Sequence, residues 1–400
     1  MEAGTATPFM AAAPEIQVVF DDQPAVPAPA VPVPAPAVPD PTARHSQLEV
    51  ALHRLELFLA SLGFYQTASP LSIIISYSAF LLLGIATPII YLYFSCCCGS
   101  SCHRYQIQRF ELWVFIFEVV LAGVSLGGIS TNLFKHGTRR LLFMDENPVE
   151  RFQEKYARPI QGFFNMLLWS ILPCFIAKAT LEIIRSAYVH HDSMWKSVVF
   201  PLASIISWAY LSTIFLAACI LFNLVCNLQV IRLEDYGKHL EGDEEALIYL
   251  EEHVRLRYDI SKISHRFRIY LLLVFLFVTA SQLVNLFQTT QNSEIVNFVN
   301  AGDLAISSVV QVVGVVLCLN AAAKISHRTQ GIASVASKRH ALVTCNTISD
   351  ASLVSYHKRQ ALVLYLQTNL DGFTIYGWTL DRALLNTIFF IELTLVLFVI

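Results

Sequence analysis

The chain of 400 residues is 55% hydrophobic and only 14% charged, with a mean hydropathy of +0.54. Soluble domains carry about a quarter charged residues, so these groups are too few to coat a water-exposed globule of this length, and much of the surface is expected to face lipid. The net charge of −3 matters less than where the charges lie along the chain.

Residues 1–20 offer no basic n-region and no compact apolar core, so a secretory signal is not expected there. A transit peptide is opposed by Glu2, Glu15, Asp21 and Asp22, all ahead of the first basic residue, Arg44. The first span is expected to act as its own insertion signal. Residues 1–45 hold ten of the sixteen prolines, alternating with Ala and Val from Pro24 to Pro41. Such a run favours polyproline II or disorder and cannot build a core. It reads as a solvated tether, with a ligand for a proline-binding domain as the other reading. Residues 46–400 read as one membrane domain.

From His45 to Phe64 the residues Leu48, Ala51, Leu52, Leu55, Phe58, Leu59 and Leu62 recur at helical spacing, opposite Glu49, His53, Arg54 and Glu56. This predicts an amphipathic helix on the membrane surface or against the bundle, too polar to span. A bilayer core of about 30 Å needs about 20 apolar helical residues. Seven spans are predicted, at about 71–94, 111–134, 160–184, 198–224, 267–289, 296–322 and 383–400. The fold class is therefore an all-α, seven-transmembrane helix bundle.

Lys and Arg fix the expected orientation. Twenty-one of them fall in the N-terminal segment and the second, fourth and sixth connections, against Arg104, Arg109, Arg185 and Lys196 in the alternate ones. The positive-inside rule then places the N-terminus in the cytosol and the C-terminus outside. The outer connections are short and carry no Asn-x-Ser/Thr acceptor, so an external ligand must enter among the outer halves of the helices. The cytosolic connections look helical. A helix from about residue 244 through the fifth span could project roughly 30 Å, and a further amphipathic stretch runs over about 351–370. The acidic run Glu241, Asp243, Glu244 and Glu245 reads as a helix start with anions on the favourable dipole end.

Ionisable residues inside spans are costly and usually face the bundle interior; here they are Glu118, Lys178, Glu182, Asp303 and Glu392. Lys178 and Glu182 are four apart and can pair on one helical face, as a structural ion pair or as part of conduction or gating. Glu118 is a possible further partner of Lys178. Asp303 either lines an outer vestibule or caps a broken helix. Before the last span, Asp371-Gly372 and residues 377–382 interrupt the apolar pattern and predict a helix break. Beyond it Asn386, Phe390 and Thr394 share a face, with Thr387 and Glu392 nearby. They suit either a pore lining or hydrogen bonding within one subunit. Cys96, Cys97, Cys98 and Cys102 cluster beyond the first span. Disulfides or packing suit them better than a tetrahedral metal site. No Walker loop, GxSxG or HExxH occurs. Neither enzyme activity, nor a metal or other cofactor, nor a nucleic-acid partner is expected. The last span lacks a lysine, which argues against a retinal protein.

The Pro-rich tail, the Cys-rich first loop, MDENPVERF at 144–152 and GFTIYGWTLDRALLNTIFFIEL at 372–393 together resemble the plant gustatory-receptor-like proteins, a family catalogued as a domain of unknown function. The resemblance runs from about His45 onward. That family is considered distantly similar to insect odorant and gustatory receptors. The likeness implies a homotetrameric, ligand-gated cation channel opened by a small molecule; the membrane is read as the plasma membrane ahead of an internal one. It also implies a cytosolic helical layer and a split final helix lining the pore. Insect receptors carry Thr-Tyr, five apolar residues and Gln-Phe in that helix. Here Thr387 can match the Thr, Ile388 replaces the Tyr, Glu392 intrudes, and Thr394-Leu395 stands for Gln-Phe. The implied pore residues are Asn386, Thr387, Phe390, Glu392 and Thr394. The alternative is a non-conducting seven-span receptor or scaffold signalling through its cytosolic helices.

Overall fold

A computed structural model describes residues 41–64, 70–90, 109–143, 153–188, 194–242, 245–291, 298–346, 353–369 and 372–399. The helices are α1 (Pro41–Ser61), α2 (Pro70–Ala79, continued by a π-helical stretch, Phe80–Ala86), α3 (Arg109–Phe143), α4 (Gln153–Tyr188), α5 (Met194–His239), α6 (Ala246–Gln291), α7 (Phe298–Asn346), α8 (Leu353–Thr368) and α9 (Arg382–Val399). Strands β1 (Thr374–Ile375) and β2 (Trp378–Thr379) form a small hairpin between α8 and α9. The prolines of residues 1–40, the motif at 144–152 and the cysteine cluster at 96–102 lie outside the described residues.

Six helices among the described residues are long and apolar enough to cross a membrane: Ile73–Ile90, Leu112–Leu142, Lys155–Ala187, Val198–His239, Ala246–Thr290 and Ala301–Cys345. The chain is a multi-pass membrane protein. Helix α9 is apolar too, but 18 residues long. At 1.5 Å per residue the 49 residues of α7 reach about 73 Å, more than twice a bilayer core. α5 and α6, at 46 residues each, overrun it similarly. The projecting helix predicted ahead of the fifth span is therefore present, as one unbroken α6. The sixth span continues as α7 far beyond its expected end at 322, through a polar stretch read from the sequence as a connection. No Pro interrupts it.

α5 is the centre. In its most apolar window 89% of residues are buried, against 6% in the first span, which is why its run from Ile214 to Phe222 is apolar on every side. α7 packs closely on it: a Cβ added at Gly314 would sit 2.5 Å from the Phe215 ring and 3.2 Å from Cys219 Sγ. The π-helical stretch widens the helical turn of the first span, and Ser207 Oγ on α5 donates to the Leu83 carbonyl within it at 2.7 Å.

α1 is the predicted amphipathic helix and lies against the bundle. Its Leu48, Leu52, Leu55 and Leu59 are buried, and Phe58 meets Phe163 and Phe164 of α4 edge-on at 6.0 and 5.3 Å. α8 occupies the second predicted amphipathic stretch, burying Leu362 and Leu366. Of the acidic run, Glu245 immediately precedes α6, and its carboxylate bonds Lys358 of α8 at 2.8 Å.

The α5–α7 contact makes opposite demands on two glycines of one helix. Gly331→Ala, with nothing within 4 Å of the new Cβ, should raise stability by up to about 1 kcal/mol through helix propensity. Gly314→Ala should instead lower it, by roughly 1–3 kcal/mol of overpacking set against that gain. Melting temperatures of the purified protein in detergent, side by side, test the opposite signs.

Candidate functional site

Lys178, Glu182 and Arg185 fall on one face of α4, at spacings of four and three. Across from them stands Asp303 of α7. Lys178 Nζ bonds Asp303 Oδ1 and lies 3.4 Å from Glu182 Oε1. Arg185 lies 3.4 Å from the same Glu182 oxygen and 3.8 Å from Asp303 Oδ2. The four charges alternate in a closed ring, each cation between two carboxylates. Side-chain exposures of 7, 2, 6 and 19% place the ring in an environment where lone charges are costly and pairing is obligatory. Ser204 Oγ of α5 adds a hydrogen bond to Glu182 Oε1 at 3.2 Å.

Beside the ring opens a cavity of about 80 Å³ among the first span, α3, α4, α5 and α7. Its apolar wall is Pro88, Leu112, Val114, Phe115, Trp208 and Leu304; its polar wall is the ring with Glu118, Ser204, Ser207 and Ser307. An apolar hollow with a few convergent polar groups is the usual form of a small-molecule site. Glu118 stands apart from the ring. It accepts a hydrogen bond from Ser307 Oγ, and no salt bridge reaches it among the described residues. The cavity lies at the end of the bundle where α7 begins.

At the opposite end the hairpin leads into α9. Tyr376 and Gly377 both have positive φ, 49° and 89°, the two-residue turn that closes a tight hairpin and favours Gly. Phe373 is fully buried with its ring 5.5 Å from Phe222. Ser326 Oγ accepts its backbone N–H at 3.1 Å, and Ser264 Oγ accepts that of Thr374 at 3.3 Å. Asp381 caps α9, its Oδ1 accepting from Leu384 N at 2.8 Å. The helix break expected from the sequence is thus a pinned hairpin.

On α9, Asn386, Thr387, Phe390 and Thr394 are exposed along one stripe, Phe390 at 63%. Glu392 turns the other way. It is 3% exposed and accepts a hydrogen bond from Thr279 of α6 at 2.7 Å, because its position on the helix faces α6 and α7 rather than the stripe. Thr387 and Thr394 hydroxyls return to the Ala383 and Phe390 carbonyls at 3.0 and 2.7 Å. Asn386 makes no hydrogen bond among the described residues.

The Lys178–Glu182 pairing expected from spacing is present. Lys178 takes Asp303, rather than Glu118, as its partner on another helix, and Asp303 lines the cavity. Sequence reasoning passed over Arg185, Ser204, Trp208 and Ser307. Arg185 was legible, three residues after Glu182; the serines and Trp208 carry no signal until the helices are packed. Among the described residues no group of His, Cys, Asp or Glu could hold a metal.

Residues 50–353 and 346–391 match the model of a family described as "Protein of unknown function (DUF3537)". No curated protein matches the sequence. Among solved structures, the insect olfactory receptor OR5 from Machilis hrabei is similar with a TM-score of 0.59 at 14% identity, over 88% of this chain and 98% of the receptor. The same receptor in complex with eugenol gives 0.59 at 12% identity, over 89% and 98%. At such identity the likeness establishes the fold.

Removing one member of a buried ion network strands the others. Lys178→Met alone should cost roughly 3–5 kcal/mol, read as lost folded yield and lowered melting temperature. Lys178→Met with Asp303→Leu should recover part of that loss. Strict additivity in the double-mutant cycle would show that the two side chains do not act together.

Proposed function

The chain belongs to the DUF3537 family and has the fold of an insect olfactory receptor, and from that premise we propose that it is a chemoreceptor-like, ligand-gated ion channel, a homotetramer with one α9 from each subunit around the pore. In this reading α9 is the seventh span. The N-terminus and the projecting ends of α5, α6 and α7 are cytosolic, as the basic connections demand. The cavity beside the charge ring then opens toward the outer half of a plasma-membrane protein and receives a small organic ligand. Binding there favours the open state through tighter contact in it. The likeness to a receptor solved with eugenol supports a pocket of small-molecule size.

The observation that carries the pore is the exposed stripe of α9. A face turned to lipid is expected to be apolar, yet this one bears Asn386, Thr387 and Thr394, and the Asn386 amide has no partner among the described residues of its own subunit. Polar groups in a span seek protein or water. Asn386, Thr387, Phe390 and Thr394 are therefore the proposed lining. Glu392, held by Thr279, is assigned to fastening α9 onto α6, and a ring of carboxylates at the axis is left out. One feature favours a second reading. α5, α6 and α7 project far beyond the bilayer core, and such helices could transmit a signal without conduction.

Recordings from reconstituted protein separate the two readings. Asn386→Cys, Phe390→Cys and Thr394→Cys channels should lose most of their current on adding a charged, water-soluble thiol reagent, while Leu385→Cys should be spared. Glu392→Gln should leave cation permeability ratios unchanged. Single-particle images should show four subunits with α9 at the axis. A monomer or dimer, or a silent tetramer that retains a cytosolic partner, would favour the non-conducting receptor.

A further inference from the structure

The charge count around the cavity does not balance. Lys178 and Arg185 are each paired with both Glu182 and Asp303 in the ring. That leaves Glu118, on the facing helix α3, as a third carboxylate outside the ring, accepting a hydrogen bond from the Ser307 hydroxyl. With all five groups ionised, two cations face three carboxylates, and the cavity wall carries one uncompensated negative charge. Leu112, Val114, Phe115 and Leu304 line the wall around it, and Glu118 itself is half-buried. In such surroundings electrostatic preferences are larger than at a surface, and an unmatched charge is costly.

Resting on the ligand-site reading given above, we infer that the cavity selects an amphipathic organic cation: a protonated amine on an aromatic or short aliphatic body. The ammonium bonds the Glu118 carboxylate and completes the charge balance. The apolar body lies against Phe115, Leu304 and the Trp208 indole, whose face also attracts a cation. Ser207 and Ser307 supply hydroxyls for the remaining ammonium protons. An anionic ligand of equal size is disfavoured, because both cations already have two carboxylate partners each and Glu118 would repel it. A neutral alcohol can use the hydroxyls but leaves the charge unmatched.

The test is a matched series of probes on the purified full-length protein in lipid nanodiscs. 2-Phenylethylamine, 2-phenylethanol and phenylacetate share a ring and chain length and differ in charge. Titration calorimetry, supported by tryptophan fluorescence, ranks them. The amine should bind at least about tenfold more tightly than the alcohol, the difference expected of a hydrogen bond to a charged group, and phenylacetate should be the weakest. Glu118→Gln keeps an acceptor for Ser307 while removing the charge. It should bring the amine down to the alcohol's affinity and leave the alcohol unchanged. If that variant does not fold, the wild-type ranking decides alone. Equal binding of amine and alcohol, a preference for the acid, or an amine preference surviving in folded Glu118→Gln overturns the cation assignment while the ligand site stands. Failure of all three probes to bind overturns the assignment and counts against the cavity as a ligand site as well.

Discussion

One helix surrounded by others sets the terms for this fold. α5 lies inside the bundle along most of its apolar length, so it has no lipid-facing side on which to place poorly fitting residues. Its middle turns use Ala217, Ala218 and Cys219, all fully buried, and α7 answers with Gly314 against Phe215. Close approach substitutes for a hydrophobic driving force that the bilayer does not supply between helices. Beyond the apolar zone the same two helices stay in register through polar ties. Asn223 Nδ2 donates to the Leu317 carbonyl at 3.1 Å, Lys324 to Asn227 Oδ1 at 3.2 Å, and Arg328 pairs with Glu234 at 2.7 Å. The dry seam and the wet seam are one continuous contact, so the projecting halves inherit the geometry of the membrane halves.

The hairpin ahead of α9 converts that shared frame into a position for the last helix. Phe373 plugs a site formed with Phe222 of α5, which in turn meets Phe267 of α6 at 5.1 Å. Ser326 of α7 and Ser264 of α6 hold the adjoining backbone amides. Gly372 is pressed so near Ser326 that an added Cβ would lie 2.4 Å from its hydroxyl. Three long helices thus converge on Gly372, Phe373 and Thr374, at the start of the hairpin that leads into α9. A change in their spacing must reach α9 through this junction, while the Thr279–Glu392 bond fastens the helix further along. The cavity and α9 both touch α7, so a rigid tilt of α7 is the shortest mechanical route between them.

Six of the spans were legible because lipid makes composition nearly sufficient: about 20 apolar residues can be little else. The amphipathic face of α1, the long α6 and the helix over 353–368 were legible from period alone. The extent of α7 was not. Residues 324–346 mix Lys, Arg, His, Ser and Thr without a dominant apolar stripe, and their helicity is supported by packing of Ile325, Ile332, Ala333 and Ala336 that only the folded bundle supplies. Within the site, the i, i+4 pair on α4 followed from spacing. Its completion by Asp303 joins residues 125 positions apart and could not follow from spacing. The orientation of Glu392 turned on a difference of one helical position from the exposed stripe, finer than a sequence pattern resolves.

A closed ring of two cations and two carboxylates is an uneconomical way to hold helices together. Well-packed apolar residues of similar volume are often as stabilising or more so. What the ring adds is direction. Apolar contacts between α4 and α7 tolerate sliding, whereas a four-membered ring with each cation between two carboxylates is satisfied in one register only. It also consumes both cations, so that the adjoining cavity presents the charge of Glu118 instead of an average over five groups. Positioning and selectivity are therefore linked in the same residues. Breaking any side of the ring would free a cation to approach Glu118, and the wall would lose the unbalanced carboxylate that distinguishes it from an ordinary apolar pocket.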